Sequence, residues 1–208
     1  MKICYFTATG NCLDVARRFG GELLSIPQLM KAGGEIEVAD EAVGIVFPVY
    51  ACELPMMVRE FMGRARIEAE YFFVVCTYGM GGHEEALCHA ELAAREAGLE
   101  LRYANAIQMV DNYLPGFEMQ DQLDTLPAKD VEGQLARVVD DILNRRERPV
   151  DITPEKQANM ARSTRSSSPS RSCARRRRGS TSWTMPARDA ASAPACALPI
   201  TSRSTTGE

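Results

Sequence analysis

Apolar positions in the first 150 residues alternate between two rhythms. Short unbroken apolar runs next to turn residues predict strands at 2–6, 23–26, 43–47, 71–76 and 101–109. Between them, apolar residues recur at helical spacing and predict helices over 11–19, 55–65, 84–97 and 128–146. The first stops at Gly20-Gly21 and the third at Gly98. In the last, Val131, Leu135, Val138, Val139, Ile142 and Leu143 form one stripe, and Arg145 and Arg146 sit where cations suit the helix dipole. Strands that are apolar on both faces, alternating with helices, predict an α/β fold with a doubly wound, five-stranded parallel sheet of order 2-1-3-4-5.

Both rhythms stop after Arg162. Residues 162–208 hold eleven serines and no Phe, Tyr, Val or Lys. Such a segment cannot bury enough apolar surface to offset its chain entropy, so a disordered tail is expected there, joined by a linker at 151–161. The charge divides at the same place. The tail has nine arginines against Asp189 and Glu208, leaving 24 − 9 = 15 basic and 28 − 2 = 26 acidic residues in the first 161. At 208 residues and 45% apolar composition the chain is long enough for one domain with a sizeable core and a small appendage.

Cysteines stand at 4, 12, 52, 76, 88, 173 and 196, none in a C-x-x-C pair, which indicates neither a zinc site nor a disulfide framework. Cys4, Cys76 and Cys88 read as small buried hydrophobes. The opening MKICYF has no basic leader before a long apolar run, and no stretch approaches eighteen apolar residues. The expectation is a cytoplasmic chain without a membrane anchor.

In an open parallel sheet the ligand sits beyond the carboxyl ends of the strands, and three segments fall there. The first is Thr7-Ala8-Thr9-Gly10-Asn11-Cys12, a turn set directly between strand and helix. It aims backbone N–H groups and a helix N-terminus at one spot, adds short polar side chains, and permits close approach at Gly10. That makes a phosphate cradle without Lys or Arg; the bland alternative is a capped helix with Thr9 or Asn11 as N-cap. It lacks the G-x-x-x-x-G-K-[ST] pattern, and no G-x-G-x-x-G occurs, which argues against nucleoside triphosphates and the usual dinucleotide sites.

The second segment is FPVYACELP, residues 47–55, where Tyr50 is either a packed aromatic or one wall of a flat-ring pocket. The third is CTYGMGGHEE, residues 76–85, where Tyr78 and three glycines form either a ligand-contacting loop or a merely flexible one. Neither histidine has a catalytic partner set. His83 reads as a loop or helix-start residue and His89 as an exposed helix residue, while Asp14, Glu53 and Glu60 read as solvated. A phosphate cradle with aromatic walls and no acid-base pair suits a bound redox cofactor that carries its own chemistry.

YFTATGN, VFPVYACELP, VVCTYGMGG and MVDNYLPGF, taken together, resemble the flavodoxin-like domain of a bacterial and archaeal family in which that domain precedes a two-cluster ferredoxin domain. The resemblance covers residues 1–150. It implies that Thr7, Ala8, Thr9, Gly10, Asn11 and Cys12 hold the phosphate of FMN. It further implies that Pro48, Val49, Tyr50 and Ala51, with Thr77, Tyr78 and Gly79, border the isoalloxazine ring, and that Asn112 and Tyr113 close the rim. Cys12 stands where such loops more often carry Ser or Thr. The family also implies C-x-x-C-x-x-C-x-x-x-C-P runs that ligate [4Fe-4S] clusters, which this chain lacks as written.

The genetic code offers an account of that lack. A codon built from the last base of one residue and the first two of the next becomes cysteine whenever a residue whose codon ends in T precedes alanine. Pro186/Ala187, Asp189/Ala190, Ser192/Ala193 and Cys196/Ala197 allow it, at spacings of three, three and four. The Ala197/Leu198 junction allows proline and Arg188/Asp189 allows glycine, giving C-x-G-C-x-x-C-x-x-x-C-P. Trp183 before threonine forces aspartate, and Met185 before proline forces alanine. The tail thus reads as a ferredoxin segment out of frame, with the shift between Met160 and Cys173; chance in an alanine-rich stretch is the alternative.

The leading expectation is an FMN-binding electron-transfer domain serving a redox protein donor or acceptor. A second is a small FMN-dependent NAD(P)H:quinone or flavin reductase. A third takes Arg175 to Arg178 as a nucleic-acid arm, weakened by the near absence of interleaved aromatics.

Overall fold

The central strands explain the architecture. In the computed structural model, which describes residues 1–152, β1 (Lys2–Tyr5), β2 (Glu22–Ser25), β4 (Ala42–Pro48), β6 (Tyr71–Tyr78) and β7 (Leu101–Gln108) form one sheet. Its order is β2-β1-β4-β6-β7 and all its pairings are parallel, the 2-1-3-4-5 arrangement expected for five main-sheet strands. β4 and β6 are buried along nearly their whole length, as strands covered on both faces must be.

Successive residues of these strands point to opposite faces and so feed two separate cores. Cys4, Ile45, Phe47, Val74 and Cys76 join one, where Val58, Phe61 and Met62 of α3 (Met56–Arg64) and the alanines of α4 (His83–Glu96) pack. Ile3, Val46, Phe73, Val75 and Ile107 join the other, closed by Val15 and Ala16 of α1 (Asn11–Arg18) and Leu135, Val138 and Ile142 of α6 (Val131–Leu143). Gly44 lies under Phe73: a Cβ there would come within 2.2 Å of the ring, so the strand is bare where the aromatic crosses it.

Helices therefore cover both faces, and the strand order reverses between β1 and β4, leaving a crevice beyond their carboxyl ends. The β7 edge is partly closed by Arg148, whose N–H donates to Arg102 O at 2.9 Å and whose carbonyl accepts from Ala104 N–H at 3.0 Å.

Several elements were not anticipated. Ile26–Ala32 form α2, and β3 (Ile36–Ala39) pairs in parallel with β5 (Ala65–Glu68) as a separate two-stranded ribbon. Met119–Thr125 form α5, followed by a 3-10 turn at Leu126–Lys129. The final helix starts at Val131 rather than 128, because Asp130 leaves helical geometry (φ 47°) and its carboxylate accepts from Gly133 N–H at 3.2 Å. The expectations for residues 153–208, namely most of the linker, disorder in the tail and an out-of-frame cysteine pattern, lie outside the described residues.

Candidate functional site

At the switch point a cleft of about 810 Å³ opens, lined by segments from all three predicted loops and from the residues after β7. Thr7, Ala8, Thr9, Asn11 and Cys12 form one end. Pro48, Val49, Tyr50 and Ala51 form one wall, Thr77, Tyr78 and Gly79 another, and Asn112 and Tyr113 reach the rim. Of the anticipated residues only Gly10 is not on the surface of the cleft; its contribution is the turn itself.

Gly10 is the N-cap of α1, with φ 105°, a conformation that side chains rarely tolerate. Its N–H donates to Thr7 Oγ1 at 3.0 Å, and helical bonding begins only with Asp14 N–H to Gly10 O at 2.9 Å. The N–H groups of Asn11, Cys12 and Leu13 thus face out of the helix end with no helical acceptor, and the glycine has no side chain to cap them. Neither Thr9 nor Asn11 is the N-cap. Both side chains bridge instead to the loop after β7: Asn11 Nδ2 donates to Val110 O at 3.1 Å, and Asn112 Nδ2 donates to Thr9 Oγ1.

Cys12 is buried, with Sγ 3.1 Å from Thr77 Oγ1. Burial pushes its thiol up to about 12, with the Thr77 hydroxyl pulling back slightly, so it stays protonated at neutral pH. What this residue offers an anion is its backbone N–H.

The walls continue the sheet. Val49 N–H donates to Thr77 O at 2.8 Å, extending the β4–β6 ladder past the strand ends. Tyr50 lines the cleft, is 45% exposed, and meets Phe6 edge-on with centroids 6.1 Å apart. Tyr78 stacks on His83 at 4.1 Å and 21°, so the imidazole at the start of α4 covers one face of the phenol. Burial shifts the pKa of both phenols above the ordinary tyrosine value, so they stay neutral.

Between Tyr50 and Glu53 the chain makes a two-residue hairpin closed by reciprocal bonds of 3.2 and 2.9 Å. Its central residues Ala51 (φ 49°) and Cys52 (φ 65°) both occupy left-handed backbone, the type I′ geometry normally given to Asn and Gly. Gly79 lies against Asp111, where a Cβ would fall 2.3 Å from the Asp111 side chain.

Sequence reasoning left out Cys52, Met80, Gly81, Val110, Asp111 and Phe117, all of which line the cleft. All six lie inside FPVYACELP, CTYGMGGHEE or MVDNYLPGF, so the neighbourhood was legible and the facing was not. His89, expected to be exposed, is 5% exposed, since Arg59 on the neighbouring helix covers it and Nη2 sits 3.1 Å from His89 Nδ1. Among the described residues no cluster of three or more His, Cys, Asp or Glu is arranged to hold a metal ion, and no helix is long and apolar enough to cross a membrane.

No protein-family model and no curated protein matches the sequence. Solved structures overlap it at low identity. The Trp repressor binding protein from Bacillus subtilis is 11% identical, with 71% of this chain and 99% of that one covered at a TM-score of 0.41. A flavoprotein in complex with FMN from Lactobacillus acidophilus is 12% identical, covering 61% and 97% at 0.37. A flavodoxin from the domain Archaea is 15% identical, covering 67% and 99% at 0.35.

Proposed function

We propose that this cleft binds FMN and that the domain is a flavodoxin-like electron carrier, related to proteins that join such a domain to a two-cluster ferredoxin. The observation that carries the reading is the union, in one cleft, of an uncapped helix N-terminus at Gly10–Leu13 and a sheet-built slot walled by Tyr50 and Tyr78. Its volume suits a ligand of that size.

The chain's residues fit that cofactor by chemistry. The N–H groups of Asn11, Cys12 and Leu13 supply donors and the positive helix end to a phosphate, with no Lys or Arg among the lining residues to add a fixed charge. The neutral aromatics Tyr50 and Tyr78 offer flat apolar contact, and the Asn11 and Asn112 bridges tie the phosphate end to the rim. FMN would supply reversible uptake of one or two electrons, exchanged with a redox protein. No acid-base pair in the cleft is needed for that exchange.

An absorbance spectrum and an FMN titration of the full-length protein test the reading. Flavin bands, or uptake of one FMN per chain, are expected; a colourless protein that takes up no added FMN sinks it. Rapid NAD(P)H oxidation by the loaded protein would redirect the assignment to a reductase. The ferredoxin relation is tested in the coding sequence. The out-of-frame reading requires the codons for Pro186, Asp189, Ser192 and Cys196 to end in T, and it fails if they do not. If it holds, the product keeps its flavin cleft and lacks the cluster cysteines in this frame.

A further inference from the structure

Strand pairing between β6 and β7 ends at Tyr78↔Gln108, apart from one bond from Met109 N–H to Tyr78 O at 2.8 Å. Beyond it the chain leaves β7 for a long excursion, residues 109–130, in which α5 buries no residue. Excursions of this kind open easily unless something anchors them. Yet this one carries Val110, Asp111, Asn112, Tyr113 and Phe117 to the cleft.

The anchor is a cation outside the cleft. Half-buried Lys129 donates from Nζ to Met109 O at 2.7 Å, to Gly79 O at 3.5 Å and to Gln122 Oε1 at 3.4 Å. An ammonium has three donors, and all three are engaged. Met109 and Gly79 are the roots of the two rim loops, and Gln122 Oε1 also accepts from Asp111 N–H at 3.2 Å. Among the described residues no carboxylate pairs with Lys129. Its own position is fixed from behind, where Gln134 Nε2 donates to Lys129 O at 2.6 Å while Gln134 Oε1 accepts from Gln108 N–H at 2.9 Å. A charged donor on main-chain carbonyls makes a stronger tie than a neutral one, and here it spans both loops.

We infer that Lys129 is a positioning residue that sets the spacing of the 79–81 and 109–113 loops and thereby the width of the ring slot. The slot's occupant rests on the FMN reading; the loop spacing does not.

The test compares wild type, Lys129→Met and Lys129→Arg as full-length protein, by amide exchange without cofactor and by FMN titration. Lys129→Met keeps the aliphatic stem and removes every donor. Exchange at 79–82 and 109–125 should rise about tenfold while 72–76 stays unchanged. FMN should dissociate about tenfold faster, and Lys129→Arg should recover part of both. If Lys129→Met does not fold, Gln122→Ala, which deletes the acceptor shared with Asp111 N–H, must loosen the same loops. Unchanged loop exchange in the folded variant, or FMN affinity within about twofold of a flavin-binding wild type, overturns the inference. Loosened loops in a protein whose wild type takes up no FMN would support the latch and sink the cofactor.

Discussion

Cys12 Sγ and Thr77 Oγ1 meet at 3.1 Å in the protein's interior, which ties the Thr7–Cys12 turn to the end of strand β6. The side chain serves that tie, so under the proposed FMN reading a phosphate would meet only the main chain of this residue. Cys12→Ser is therefore expected to change FMN affinity less than about threefold, since it keeps the N–H and can keep the bond to Thr77. Thiol reactivity should separate the cysteines. Iodoacetamide at pH 8 should label Cys52, which is exposed, and spare Cys4 and Cys12, which are buried with thiols pushed up to about 12. Peptide mapping that finds Cys12 labelled as fast as Cys52 would refute the inward placement.

Two glycines two residues apart make a second contrast. At Gly79 an added Cβ would lie 2.3 Å from Asp111 Cβ, whereas at Gly81 it would meet nothing within 4 Å. Gly79→Ala must displace the loop carrying Asp111 and Asn112, at roughly 1–3 kcal/mol of stability and about a tenfold loss of FMN affinity. Gly81→Ala should stay within about 0.5 kcal/mol of wild type. Urea unfolding and flavin titration of both variants decide it; equal effects would mean that Asp111 does not rest on Gly79.

These contrasts show which parts of the molecule local sequence can carry. The runs at 43–47 and 71–76 are apolar on both faces, so they announced central strands, and the composition of the Thr7–Cys12 turn announced the passage from strand to helix that lines the cleft. The β3–β5 ribbon was not legible, because each partner is four residues long and their pairing joins segments far apart in the chain. Pro27, near the start of α2, looks like a turn signal although it suits a helix's first positions. α5 buries nothing and so leaves no periodic stripe. The bonds that assemble the cleft join residues 99 and 103 positions apart, Asn11 with Val110 and Thr9 with Asn112. Such ties are tertiary by nature, as is the cover that Arg59 places over His89.

His89 gives a pH dependence with a defined sign. The Arg59 guanidinium can only donate, so His89 Nδ1, 3.1 Å away, must accept, and the imidazole is neutral. Burial, then the Arg59 charge, holds His89 below the ordinary histidine value of 6.5, while Glu53 and Glu85 oppose this in part. As pH falls through about 6.5 the unfolded chain takes up the proton first, so stability is fully present above that value and declines below it until the folded pKa is reached. His89→Gln keeps an acceptor for Arg59 and removes the titration. The loss of stability between pH 7.5 and 5.5, from urea midpoints, should be smaller in the variant than in wild type; an equal loss would place the titrating group elsewhere.

The hairpin at the cleft mouth sets stability against binding. Ala51 and Cys52, at φ 49° and 65°, hold backbone conformations that cost ordinary residues about 1 kcal/mol or more each. Asn and Gly are the residues that such a turn prefers. Ala51→Asn with Cys52→Gly should therefore raise the unfolding free energy by about 1 kcal/mol, even though Cys52 Sγ loses its packing against Gly82. Both native side chains line the cleft, so the same exchange should weaken FMN binding while the apo-protein gains stability. Ala51→Asn alone separates the relief of backbone strain from the loss of packing, since it relieves one strained position and leaves the Cys52–Gly82 contact in place. A double variant that melts below wild type would show that the turn's native residues are held there by packing rather than by the cleft.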